Sequence, residues 1–146
     1  SGLRYFNVYG PGEYHKGKMA STIFHFYNQS KLSGVIKPFS GSENFYRDFI
    51  YIDDIINHIM FLFKNDNISG IFNSGTGNER SFLDVAKIVS DITNSKIEEI
   101  EFPKSLQEFY QPFTKAEMSV SHAIGFPQDY KLLEEGIKLY IDHLDK

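Results

Sequence analysis

LRYFNVYGPG, residues 3–12, is the stretch on which the fold turns. Its first part, Leu3 to Val8, is hydrophobic on both faces, as a buried parallel strand is. Gly10-Pro11-Gly12 then breaks it sharply. Leu3-Arg4-Tyr5-Phe6 already reads as a strand under way just after Ser1, as in a piece of a longer chain. Residues 13–18 follow as a polar loop, and Met19 to Leu32 reads as a helix closed by Ser33-Gly34. Residues 35–52 are strand-like with a turn at Gly41-Ser42-Glu43-Asn44. Asp53-Asp54 is expected to cap a helix running to about Lys64, with Ile55, Ile56, Ile59, Met60 and Leu62 as its apolar stripe.

The alternation continues to the C-terminus. Gly70 to Asn73 is a short buried strand ending at Gly75-Thr76-Gly77. Ser81, with Asp84 three residues on, caps a helix from Phe82 to about Thr93. Ile97 to Phe102 alternates like a strand, Lys115 to Ala123 suggests a short helix, and Tyr130 to Leu144 is the last helix. Strands alternating with helices give an α/β class. The first strand has no upstream β-α-β partner, which fits the second half of a doubly wound sheet.

Composition narrows the function. The chain has 146 residues, enough for one compact domain rather than two. With 41% hydrophobic and 23% charged residues it is a globular sequence, not a disordered one. A net charge of −4 gives no pull toward nucleic acid or a membrane surface. There is no cysteine, so disulfides and thiol chemistry are excluded. No apolar run approaches the roughly 20 residues of a membrane span. No leader is visible, so a cytoplasmic site is the expectation. The histidines have no metal-ligand spacing, and no metal is expected; His58, His122 and His143 read as surface or helix residues.

Candidate site residues cluster after the first strand, where open α/β sheets bind ligands. Asn7, Gly10, Gly12, His15, Lys16 and Lys18 lie there, as either a solvated basic loop or a phosphate or acid-base site. Arg47, among Phe45, Tyr46 and Phe49, is either a packed arginine or a bidentate clamp on an anion. Gly75-Thr76-Gly77 is either a tight turn or a close backbone approach to a ligand. His25 lies within an apolar helix pattern, and Tyr110 sits with Phe109 and Phe113 in a proline-bounded segment; both read as packing residues.

Four stretches carry a resemblance: RYFNVYGPGEYHKGKMAS (4–21), FSGSENFYRDFIYIDDI (39–55), GIFNSGTGNERSF (70–82) and FYQPFTKAEM (109–118). In this order and spacing they resemble the C-terminal half of the ADP-glycero-manno-heptose 6-epimerases, a branch of the extended short-chain dehydrogenase/reductase family. The resemblance implies the C-terminal part of a Rossmann-type doubly wound sheet plus a small α/β substrate-binding domain, interleaved over residues 1–146. It implies NADP as cofactor, an ADP-heptose substrate, lipopolysaccharide inner-core synthesis and a homopentamer for the intact protein. Carried over by residue, it makes Lys16 the acid/base and, with Val8, a cofactor contact. Asn7, Lys18, His25, Phe39, Ser40, Gly41, Ser42, Arg47 and Tyr110 become substrate contacts. The glycine-rich cofactor loop is absent here. The family's Tyr-x-x-x-Lys pair is also read as absent, Tyr27-Asn28-Gln29-Ser30-Lys31 being discounted on its spacing. The chain alone is therefore expected to be inactive. The alternatives are another nucleotide-sugar epimerase or dehydratase of the same family, or a non-catalytic nucleotide-sugar-binding module.

Overall fold

Strand β1 (Gly2–Tyr5) and strand β2 (Asn7–Tyr9) are one extended stretch that changes partner at Phe6. β1 runs parallel to β5 (Ile71–Ser74), with Leu3 opposite Phe72. The Phe6 N–H still donates to the Ser74 carbonyl at 3.1 Å. Beyond it β2 runs parallel to β4 (Tyr46–Tyr51), with Val8 opposite Ile50. The other edge of β4 takes β6 (Glu79–Ser81), antiparallel, with Arg47 opposite Arg80. The single strand expected over Leu3–Val8 is thus two, and it is only half-buried. β6 was not foreseen; its three residues are too few to show a period.

The computed structural model describes residues 1–107 and 110–146; Phe109 lies outside the described residues. Helix α1 (Thr22–Ser33) starts later than expected because Ser21 is its N-cap, accepting the Phe24 N–H at 3.2 Å. Helix α3 (Phe82–Thr93) has the expected capping box between Ser81 and Asp84. Strand β3 (Val35–Ile36) pairs in parallel with β7 (Lys96–Ile97). The strand expected over Ile97–Phe102 is shorter. Beyond β7 its pairing thins to single contacts, such as Ile100 N–H to the Pro38 carbonyl at 2.9 Å. Pro38 has no N–H to return. A short α4 spans Lys104–Gln107, and α5 (Ser119–Ala123) covers only the end of the helix expected from Lys115. Helix α6 is Leu133–Leu144.

The core lies where α1, α3 and α6 meet β2 and β4, around Ile23, Val85, Val89, Ile137 and Tyr140. Helix α2 (Ile52–Lys64) departs most from expectation. Tyr51 occupies its cap position, with Asp53 and Asp54 in the first turn. Asp54 is buried and accepts the Lys131 backbone N–H at 3.0 Å and its Nζ at 3.3 Å. His58 is also buried, against Ser74 and stacked 3.9 Å over Phe126. These polar anchors turn α2 so that Ile56, Ile59 and Met60 face outward, against the expected stripe. Among the described residues, no helix is long and apolar enough to cross a membrane.

Candidate functional site

The loop after β2 is held from beneath by Glu13, a buried residue. Its carboxylate accepts the Ser21 N–H at 2.7 Å and the Ser21 hydroxyl at 2.6 Å. It also accepts the buried Tyr140 hydroxyl, and burial with that bond pushes the phenol well above its ordinary range. Glu13 therefore ties together the loop, the start of α1 and α6. Above this anchor, residues Tyr14–Met19 form two tight 3₁₀ turns joined at Gly17. Gly17 has φ 53° and ψ −122°, a conformation that a side chain at this position would strain. Lys16 and Lys18 stand on either side of that kink, exposed, and the Lys16 N–H donates to the Glu13 carbonyl at 2.9 Å.

Lys16, Lys18, Asn7, Val8 and Arg47 line one cavity of about 620 Å³. Val8 and Lys16 also bound a smaller space of about 140 Å³ along Gly10–Gly12. Phe6, Asn7 and Val8 line the cleft where the β1–β2 stretch exchanges β5 for β4 as its partner.

Arg47 is the charged centre of this cleft. It is only 8% exposed, its Nη1 donates to the Tyr46 carbonyl at 2.7 Å, and its guanidinium lies over the Phe82 and Tyr110 rings at 5.4 and 5.1 Å. Burial lowers its pKa from the usual arginine value, while Tyr110 acts in the opposite direction. An arginine stays protonated even so. Among the described residues no carboxylate pairs with it. A buried cation without a counter-charge is costly, and a planar fork is suited to two oxygens of one anion.

Past Tyr110 the cleft continues into a second cavity of about 340 Å³. Its walls are aromatic: Phe45 stacks on Phe102 at 5.3 Å, and Tyr110 meets Phe45 edge-on at 5.0 Å. Phe39 and His25 also line it, the His25 Nε2 lying 3.3 Å from the Lys18 carbonyl. The Ser42 hydroxyl is buried on its wall without a partner among the described residues. Lys18, Thr22, Phe82 and Tyr110 belong to both cavities, so the two form one trough.

Most residues singled out in the sequence meet along this trough. Asn7, Val8, Lys16, Lys18, Arg47 and Tyr110 lie toward β2, and His25, Phe39 and Ser42 toward the aromatic end. Ser40 and Gly41 do not line it. Ser40 is exposed with its N–H on the Ile100 carbonyl at 2.8 Å, and Gly41 starts the turn that carries Ser42.

The discounting of Tyr27 and Lys31 on spacing was mistaken, because they do have the Tyr-x-x-x-Lys interval; so do Tyr14 and Lys18. Geometry is what removes Tyr27–Lys31 from the chemistry. The Tyr27 hydroxyl donates to Asp145 at 2.7 Å, and Lys31 pairs with the same carboxylate at 2.7 Å, away from the trough. Burial and Asp145 push the Tyr27 phenol up to about 12, the wrong direction for a base. Tyr14 is 85% exposed and packs edge-on against Phe24.

Sequence reasoning missed Glu13 and Asp48. Asp48 is fully buried and accepts four bonds: from the Thr76 N–H and hydroxyl, the Gly77 N–H and the Ala116 N–H, at 2.7–3.0 Å. The Gly75-Thr76-Gly77 turn is therefore wrapped around a carboxylate of the chain itself. Gly75 is needed there, since a Cβ would stand 2.8 Å from Asp48 Oδ2.

Comparison with known proteins agrees with this architecture. A solved ADP-L-glycero-D-manno-heptose-6-epimerase from Helicobacter pylori superposes with a TM-score of 0.85 at 32% identity, over 99% of this chain and 44% of that one. A UDP-glucose 4-epimerase from Thermotoga maritima superposes with a TM-score of 0.80 at 26% identity, over 98% of this chain and 45% of that one. An ADP-L-glycero-D-manno-heptose-6-epimerase of Brachyspira hyodysenteriae (strain ATCC 49526 / WA1) is 49% identical over 146 residues, 99% of this chain and 46% of the relative. The chain thus spans about half the length of that relative. Residues 1–75, just over half the chain, match the sequence family described as NAD dependent epimerase/dehydratase. On that match, and with the parallel strand pairs and the cleft described above, the chain belongs to the NAD dependent epimerase/dehydratase family.

Proposed function

We propose that residues 1–146 are the substrate side of an NADP-dependent enzyme that inverts C-6 of ADP-glycero-manno-heptose, in the cytoplasm, for the lipopolysaccharide inner core. In this reading the chain carries the last strands of the dinucleotide sheet interleaved with the substrate-binding domain, and the intact enzyme is a homopentamer. One observation carries the proposal. Arg47 is a buried cation with no acid partner among the described residues, set between a lysine-bearing cleft and an aromatic pocket. That is the order of charges and surfaces a sugar, a diphosphate and a flat base require. The 49% identity to a heptose epimerase supports the choice of sugar.

The family's name implies a nicotinamide dinucleotide, and the residues here fit one end of it. Val8, Gly10–Gly12 and Lys16 enclose about 140 Å³, less than the roughly 300 Å³ of the smallest whole ligand pockets. When bound, that cofactor supplies the acceptor and donor of hydride. The chain's own task is the proton. Inverting a carbinol through its ketone exposes two faces of one carbon, so a proton leaves and returns at the oxygen in two substrate orientations. Lys16 serves one of them, taking the hydroxyl proton as hydride departs or returning it as hydride arrives. A tyrosine from outside this chain serves the other. Asn7 and Lys18 orient the sugar, Arg47 clamps the diphosphate, and Phe39, Ser42, His25 and Tyr110 surround the nucleotide.

In an epimerase carrying this chain as its C-terminal half, Lys16→Met should remove turnover while leaving ADP affinity within about twofold. The purified chain alone should show none. Turnover by the chain alone, or a Lys16→Met enzyme of normal rate, would overturn the reading.

A further inference from the structure

Gln29 lies on the face of α1 that borders the aromatic cavity, one turn beyond His25. Its Oε1 accepts the Lys37 backbone N–H at 2.8 Å. That bond settles which end of the amide points where, because a backbone N–H can only be met by the oxygen. The NH2 end is left over, and it offers donors only. Across the same cavity the buried Ser42 hydroxyl has no partner among the described residues. Lys18, Thr22, His25 and Lys37 add polar groups at the lining, while the broad surfaces are those of Phe39, Phe45, Phe82, Phe102 and Tyr110, as expected for a site that stacks a flat heterocycle and reads its edge.

We propose that Gln29 is a nucleobase-reading residue, donating from its amide NH2 to a ring acceptor of the adenine held between the aromatic walls. The inference rests on the proposed function only in naming adenine. The anchor on Lys37 makes the donor rigid: the amide cannot rotate to present its oxygen without abandoning a backbone N–H. A base offering an N–H at that edge would therefore meet a donor facing a donor, which costs far more than a lost contact.

Titration calorimetry of the full chain with ADP and with inorganic pyrophosphate tests this. Gln29→Glu keeps an oxygen for Lys37 and turns the presented donor into an acceptor; Gln29→Met removes the donor without adding charge. Both should weaken ADP about tenfold or more, with pyrophosphate affinity unchanged and melting temperatures close to that of the parent chain. Normal ADP affinity in both variants would overturn the role of Gln29 and leave the functional reading intact. A parallel loss of ADP and pyrophosphate would also overturn it, by showing a general disturbance of the trough. If the parent chain takes up pyrophosphate but not ADP, or neither, the functional reading itself fails and the inference falls with it.

Discussion

The Arg47 guanidinium stands 5.1 Å from the centre of the Tyr110 ring, a buried cation on an aromatic face with no acid beside it among the described residues. A cation placed for stability would carry a counter-charge, as Arg80 does with Asp84 and Glu134. In the proposed function Arg47 keeps its desolvated charge for a ligand instead. Arg47→Met should then leave unfolding free energy within about 1 kcal/mol of the parent, since loss of one hydrogen bond and two ring contacts is offset by removal of a buried unpaired charge. Urea denaturation reads this directly. A loss of several kcal/mol would make Arg47 a structural residue.

Its neighbour on β4 should behave in the opposite way. Asp48→Ala strands the backbone N–H groups of Thr76, Gly77 and Ala116 in the interior. The expected cost is about 3 kcal/mol or more, by the same denaturation measurement. A cost under 1 kcal/mol would mean the turn is held by something else.

Glu13 should govern the Lys16 loop. Glu13→Ala removes the acceptor shared by Ser21 and Tyr140, at about 2 kcal/mol. Hydrogen exchange at the amides of residues 16–21 should speed up well beyond that in α3. Uniform acceleration across the chain would contradict a local clamp.

Stability should fall on the acid side because of His58. Burial, with a smaller effect from His122, holds its pKa below the ordinary 6.5, and its Nε2 has no partner among the described residues. The unfolded chain thus binds this proton more readily than the folded one, so stability is full above about pH 6.5 and is lost as pH falls through the depressed folded value. Melting temperatures between pH 8 and pH 5 should drop more steeply for the parent than for His58→Leu, after each is referred to its own value at pH 8. Parallel curves would remove His58 as the cause.

Much of this was legible in the chain. The Ser81–Asp84 box announces α3, and Gly10-Pro11-Gly12 announces the loop that carries Lys16, because caps and turns act through near neighbours. The chemistry of Arg47 remained divided in the sequence between packing and clamping. What supports the clamp is the absence of an acid partner among the described residues, a property of the folded chain. Glu13 and Asp48 were invisible for the same reason: their partners include Tyr140 and Ala116, far along the sequence. On α2 the apolar stripe pointed the wrong way, since long-range bonds from Asp54 and His58 outweighed the local pattern. The Tyr27–Lys31 interval carries a final lesson. Spacing alone would admit it, and only Asp145 shows what the pair does.

The most direct test of the central claim is calorimetric titration of the chain and of Arg47→Met with ADP-heptose. The account predicts saturable binding at one site by the parent chain and a loss of at least about tenfold in the variant, in keeping with a charge-assisted bidentate contact. Absence of binding by the parent, or equal binding by both proteins, would contradict it.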